Sequence, residues 1–324
     1  GGGAGNALHW LKQQVIQCNN TKYSNGTKLK YGVGFITFAL QYFPQAFEYV
    51  LAAKPTAIFF SFGDAKEYAQ RVKQAGIEVI SQVQNVHDGI SAAEYSDVIV
   101  CQGEEAGGHG QSGLSTWTLL LLLQEKLREL GKTVPLVTAG GIGDENGLIK
   151  ALDMGASGII MGTRFLASVE SSLPDEDKLR IIKATKEDTV RCRVFDLLCP
   201  PPWPEPVNGK SKKIKRFIFS QIILITGRAL KDKWSMPWIN NEDELSQPNV
   251  NKREVKKFNE GNQSLSIVLA VYVYFCIFSR LTAEGGYSLW CGTGVNFVVK
   301  TENAKDIVHR IATNAIQLLE AKAK

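Results

Sequence analysis

The sequence predicts an α/β fold: a (β/α)8 TIM barrel lacking its first two strands, with a smaller, mostly helical C-terminal region. Three observations predict it. Six short, nearly continuous apolar runs alternate with helical stretches through residues 32–162, as do parallel strands buried on both faces by covering helices. Their starts recur every 19 to 38 residues, the rhythm of β/α units whose right-handed crossovers make the strands parallel. Glycines follow strands at Gly63, Gly103, Gly140–Gly141 and Gly162, where the loops at one face of a barrel build its site. An open dinucleotide-binding sheet would instead carry G-x-G-x-x-G after its first strand, and none is there.

Taken in order, Ala7–Ile16 has the spacing of an amphipathic helix, and no strand precedes Gly32. The missing strands and the absent initiator Met lead us to expect an N-terminally truncated chain. The strands expected are Gly32–Thr37, Ala57–Phe62, Glu78–Val83, Asp97–Cys101, Pro135–Ala139 and Gly158–Gly162. Between them, Asp64 can cap a helix carrying Tyr68 and Val72, Ser115 the Leu119–Leu123 run, and Asp144 a helix with Leu148, Ile149 and Leu152. After Ser172 the rhythm stops. Pro200–Pro206 is a stiff loop, and Ala304–Leu319 repeats apolar residues at helical spacing. The expected domains are therefore 1–172, the partial barrel, and 173–324, the smaller region.

Of 324 residues, 44% are hydrophobic and 21% charged, an ordinary globular balance. The net charge of +5 comes from Lys210, Lys212, Lys213, Lys215 and Arg216; elsewhere basic and acidic residues balance. A nucleic-acid surface spread over the fold is not expected. The six cysteines form no C-x-x-C pair and no zinc spacing with histidine, so free thiols and no metal are expected. With no signal-peptide h-region, the expected location is cytoplasmic. Two segments, near 210–226 and 264–280, differ from their surroundings: a basic run leading into an apolar one, and an apolar core of about 14 residues, short of the roughly 20 needed to span a bilayer. Both are read as intron-derived insertions rather than membrane anchors.

Five constellations could carry chemistry. Gln102-Gly-Glu-Glu-Ala-Gly-Gly-His109-Gly follows a strand, which places an imidazole in a Gly-rich loop suited to proton transfer or to polarising a bound group. Val137-Thr-Ala139-Gly140-Gly141-Ile-Gly-Asp144 offers backbone N–H groups and a helix start to a phosphate. Met161-Gly162-Thr163-Arg-Phe165, on the next strand, can bind the same phosphate through its amides and the Thr163 hydroxyl. Gln82, at a strand end, can hydrogen-bond the edge of a flat heteroaromatic ring, although a solvated strand end reads equally well. The glycines of Gly32–Thr37 would let such a ring lie flat. His9, His87 and His309 are read as surface or packing residues.

The succession GVGFI, SQV, QGEEAGGHG, TAGGIGD and MGTRF resembles the FMN-dependent nitronate monooxygenases, formerly 2-nitropropane dioxygenases, over residues 5–209, 227–263 and 284–324. EAGGHG and MGTRF are shared with flavin-dependent enoyl-acyl-carrier-protein reductases. The resemblance implies FMN at the C-terminal mouth of the barrel, its phosphate on the loops matching Ala139, Gly140, Gly141, Met161, Gly162 and Thr163. It implies ring contacts near Gln82, Gln102 and Gly107, and His109 as the active-site histidine. It also implies oxidation of an alkyl nitronate by O2 to a carbonyl compound and nitrite. The alternatives are an enoyl reductase-like enzyme and an inactive remnant. Without two strands, Gly32–Thr37 and Gly158–Gly162 are expected to be open sheet edges, and FMN binding to be weak.

Overall fold

A computed structural model describes residues 3–198, 225–260, 271–272 and 288–322. In chain order the helices are α1 (Gly3–Asn20), α2 (Pro44–Ala53), α3 (Lys66–Gln74), α4 (Val86–Ala92), α5 (Thr116–Glu129), α6 (Glu145–Asp153), α7 (Asp175–Lys183), α8 (Val194–Leu198), α9 (Glu242–Leu245), α10 (Pro248–Glu260) and α11 (Ala304–Lys322). The strands are β1 (Gly32–Ile36), β2 (Ala57–Ser61), β3 (Glu78–Val83), β4 (Val98–Gln102), β5 (Gly108–Gln111), β6 (Leu136–Ala139), β7 (Gly158–Ile160), β8 (Thr189–Cys192), β9 (Ile225–Leu230) and β10 (Val271–Tyr272). Pro200–Pro206 and most of both expected insertions lie outside the described residues. Two compact units interleave along the chain. The first is Gly1–Cys101, Leu120–Val137 and Ser266–Ser279; the second is Gln102–Leu119, Thr138–Leu265 and Arg280–Lys324. The 1–172 and 173–324 domains remain a proposal drawn from the strand rhythm.

In the first unit β1, β2, β3 and β4 run parallel in that order, with Gly32 opposite Ala57, Ala57 opposite Glu78 and Ile80 opposite Val98. The start of β6 follows, Ile99 N donating to Pro135 O at 3.0 Å. All five residues of β2 are buried, the signature of a strand covered on both faces. Phe47 on α2 meets Phe35 and Tyr68 edge-on, at centroid distances of 6.0 and 5.0 Å, and so ties α2 and α3 to the strands. Pro44 opens α2 and a left-handed Lys54 closes it. Asp64 Oδ1 accepts from Lys66 N at 2.9 Å at the start of α3.

Two expectations change here. β2 stops at Ser61 because Phe62 takes φ 61° and turns the chain out of the strand. β1 is not an open edge: β10 pairs with it antiparallel, Gly34 opposite Tyr272 and Phe35 opposite Val271.

In the second unit the end of β6 and β7 complete six parallel strands. Asp144 caps α6, its Oδ1 accepting from Gly147 N at 2.8 Å, and Ser115 Oγ accepts from Thr118 N at 3.1 Å at the start of α5. Among the described residues after 172 helix predominates, in α7 to α11, as expected, and strands accompany it. The region supplies β8 and β9, which form a three-stranded antiparallel sheet in the order β5-β9-β8. Its core gathers Leu173, Ile181, Leu230, Leu289 and Val295 in one cluster, and Val194, Phe195, Leu198 and Leu245 in another. α11 buries Ile307, Ile311 and Ala315 along one stripe.

Arg164, within the MGTRF run, is 2% exposed and paired with Glu302, which also accepts from Arg310 at 3.1 Å. Burial pushes the Glu302 carboxyl up, but Arg164, Arg310 and Lys300 hold it on balance below its ordinary value. A carboxyl depressed in the folded state stabilises the fold above its unfolded pKa, and that stability is lost as pH falls through the folded value. Glu302→Gln should therefore lower stability near neutral pH by about 1–3 kcal/mol. Urea unfolding should show the deficit shrinking at about pH 4 and below.

Candidate functional site

The second unit gathers four segments around His109: the turn after β4, β5, the start of α8, and residues 290–293. The turn is built first. Gly103 N donates to Ala139 O at 3.0 Å and Ala106 N to Gly103 O at 3.1 Å. Glu105 Oε2 accepts from Thr116 N at 2.9 Å and caps α5. The Thr116 hydroxyl lies 2.9 Å from Gly140 O, so the loops after β4 and β6 share one anchor.

Two half-buried arginines hold this turn from β8 and β9, where Arg191 stands opposite Arg228. Arg191 donates from Nη2 to Ala106 O and from Nη1 to Thr226 O, both at 2.6 Å. It also reaches Gly110 O and Glu104 O at 3.2 Å. Arg228 Nε donates to Glu104 O at 3.0 Å. Burial, and then the charge of Arg228, push the Arg191 guanidinium down to about 10, against Glu104, Glu105 and Asp196. It remains a cation at neutral pH, and each of its three nitrogens donates to a backbone carbonyl.

The turn delivers His109 onto β5, opposite Gly227, rather than leaving it in a loop as expected. Its Nε2 lies 2.6 Å from Asp196 Oδ1, and the two side chains are 11% and 8% exposed. The His109 ring packs on Trp290 at 4.9 Å, and Phe195 meets the same indole edge-on at 5.5 Å. Gly227 makes this packing possible: a Cβ there would stand 2.1 Å from Trp290 Cζ3. Gly227→Ala should displace the indole, shift the tryptophan emission and lower stability by about 1–3 kcal/mol, read by fluorescence and thermal unfolding.

The other expected residues fall as follows. Gln102 is buried at the end of β4, its Nε2 donating to His109 O at 3.3 Å. Gly107 packs on backbone: a Cβ would lie 2.5 Å from Cys291 C and Gly292 N. Ala139 is buried at the end of β6, and Gly140 and Gly141 turn away from it with φ of 112° and 69°. Met161 is half-buried and Gly162 exposed. A Cβ on Gly162 would meet nothing within 4 Å. Thr163 Oγ1 accepts from Gly292 N at 2.9 Å and keeps its own hydrogen to donate. Gln82 lies in the first unit, half-buried on β3 between Ser61 and Val100.

The helix start after β6 differs from expectation in one respect. The Asp144 carboxylate already holds the Gly147 N–H, so an anion there would meet the Gly140–Gly141 backbone rather than a bare helix end.

Sequence reasoning missed Asp196, Arg191, Arg228 and Trp290. None sits in a motif with local spacing, and each meets His109 or its loop across 80 or more residues. Among the described residues no group of His, Cys, Asp and Glu is arranged to hold a metal, and no helix is long and apolar enough to cross a membrane. Burial pushes the Cys101, Cys192 and Cys291 thiols up to about 12, which keeps them protonated and unreactive.

Comparison with known proteins matches a family model described as nitronate monooxygenase over residues 7–197. A nitronate monooxygenase of Neurospora crassa is 34% identical over 160 residues, 46% of this chain and 41% of that protein. Nitronate monooxygenase npaC of Metarhizium robertsii is 37% identical over 137 residues, 40% of this chain and 38% of that protein. The match thus spans about two fifths of these relatives' length. Among solved structures, FabK from Thermotoga maritima aligns with a TM-score of 0.67 at 21% identity, covering 92% of this chain and 80% of that one. That likeness shows a shared fold, the β/α barrel class.

Proposed function

The chain belongs to the nitronate monooxygenase family, and on that premise we propose that it is a flavin-dependent oxidoreductase that uses FMN and O2 to convert an alkyl nitronate to a carbonyl compound and nitrite. The observation that carries this reading is a single buried imidazole, His109, fixed by Asp196 and Trp290 on β5 in the unit that also holds the Gly140–Gly141 turn and Thr163.

The residues present fit such a cofactor. Gly162 opens to free space where a Cβ would stand, and Thr163 beside it has a hydroxyl hydrogen to give a phosphate oxygen. The Gly140–Gly141 backbone, bare of side chains, is the second proposed phosphate contact, with Ala139 and Met161 flanking the two loops. Gln102 and Gly107 keep their proposed place at the ring, and Gln82 remains a separate proposal on β3 of the first unit. When bound, the flavin supplies the electron transfer that protein side chains cannot. His109 holds a proton at its ring and offers it to the oxygens of the anionic nitronate. The carbonyl clamp of Arg191 keeps that ring in place.

The test begins by loading the chain with FMN, removing free cofactor and measuring what stays bound. Nitrite release from propionate-3-nitronate without NADH is the expected result. NADH oxidation driven by an enoyl thioester, with no nitrite, would indicate the reductase instead. Tight FMN retention would also overturn the expectation of weak binding.

A further inference from the structure

We propose that Thr293 is a further contact to the flavin phosphate, its hydroxyl set where the turn after β6 and the turn after β7 are stitched together. The proposal rests on the functional reading above for the cofactor. It adds a residue from the segment preceding α11 to the two loops already proposed. A Cβ on Gly141 would stand 3.2 Å from Thr293 Oγ1, so the hydroxyl lies beside the Gly140–Gly141 turn. The residue before it, Gly292, donates its N–H to Thr163 Oγ1 at 2.9 Å. Thr293 thus adjoins the first loop while its neighbour is bonded to the second. All of these residues belong to the second unit.

The backbone holds Thr293 at this junction and leaves its hydroxyl to a ligand. Its own N–H donates to Glu105 O at 2.9 Å, which ties it to the turn after β4 as well. The glycines on either side let these backbones close on one point. A Cβ on Gly292 would stand 2.4 Å from Glu105 O, and one on Gly294 3.3 Å from Ile142 O. The Thr293 side chain is half-buried, and among the described residues its hydroxyl has no hydrogen-bond partner. It therefore keeps a hydrogen to donate, and a phosphate monoester carries three strongly accepting oxygens. The Glu105 carboxylate, which would repel an anion, is engaged at the start of α5, where Thr116 N and Oγ1 donate to it at 2.9 and 3.0 Å.

Equilibrium binding of FMN and of riboflavin, followed by flavin fluorescence, tests the proposal. Riboflavin has the same ring and no phosphate, so it reports any effect that is not on the phosphate. Thr293→Val removes the hydroxyl at nearly constant shape, and the unfolding midpoint should hardly move, since that hydroxyl bonds no other described residue. The variant should weaken FMN binding about 10–100-fold and leave riboflavin within about twofold. Thr293→Ser, which restores the hydroxyl, should recover most of the loss. An equal loss for both ligands in Thr293→Val, or an unchanged FMN affinity, overturns the proposal. An unsubstituted chain that binds FMN no more tightly than riboflavin overturns it together with the two proposed phosphate loops. If FMN is held through Thr293 but no nitrite is released from the nitronate, the functional reading fails and the proposal stands. If nitrite is released and Thr293→Val keeps the full preference for FMN over riboflavin, the proposal fails alone.

Discussion

Arg191→Ala is expected to lower the unfolding midpoint by roughly 10 °C or more and to abolish FMN retention with it. Arg191 joins β8 to the backbone at 104, 106, 110 and 226. Removing it strands the Ala106 and Thr226 carbonyls, which accept its two shortest bonds, in a buried setting. Each orphaned acceptor costs about 1–3 kcal/mol, and the emptied volume adds a cavity term. A total of about 3–6 kcal/mol is a large share of a typical folding free energy of about 5–15 kcal/mol.

The conservative variant separates charge from geometry. Lysine keeps the cation but offers three donors from one point in place of a planar fork. Arg191→Lys should therefore recover less than half of the lost midpoint, because one ammonium cannot serve carbonyls spread over residues 104–110 and 226. Full recovery would show that the charge alone matters, through Glu104, Glu105 and Asp196. Thermal unfolding followed by circular dichroism measures both variants.

The same clamp shows where sequence reasoning reaches its end. The six parallel strands were legible because burial on both faces leaves continuous apolar runs, and Ser115 and Asp144 marked helix starts by cap chemistry. The three-stranded sheet was not legible. β5 is Gly-His-Gly-Gln and β8 is Thr-Val-Arg-Cys, too short and too polar for a period, and each becomes a strand only by pairing with the distant β9. Arg164 lay in a recognised motif, yet its anchoring role depends on Glu302, 138 residues onward. His109 stood out by its glycine surroundings. Asp196, which fixes it, has no local signature.

His109→Gln is the second large expectation: a fall in nitrite release of about 10²–10⁴-fold, the range for loss of a positioned proton donor or acceptor. Glutamine is preferred to alanine because its amide can still donate to Asp196, which is 8% exposed and would otherwise be a buried, unpaired carboxylate. FMN retention and the unfolding midpoint should change little, so lost turnover would report chemistry rather than folding. Turnover within twofold of the unsubstituted chain would remove His109 from the reaction. The double variant His109→Gln with Asp196→Asn sharpens the test. If Asp196 acts only through the imidazole, its loss adds nothing once that ring is gone, since residues that work as a unit are not additive. Independent roles would instead multiply the two losses, and the measured kcat of the double variant distinguishes the two cases.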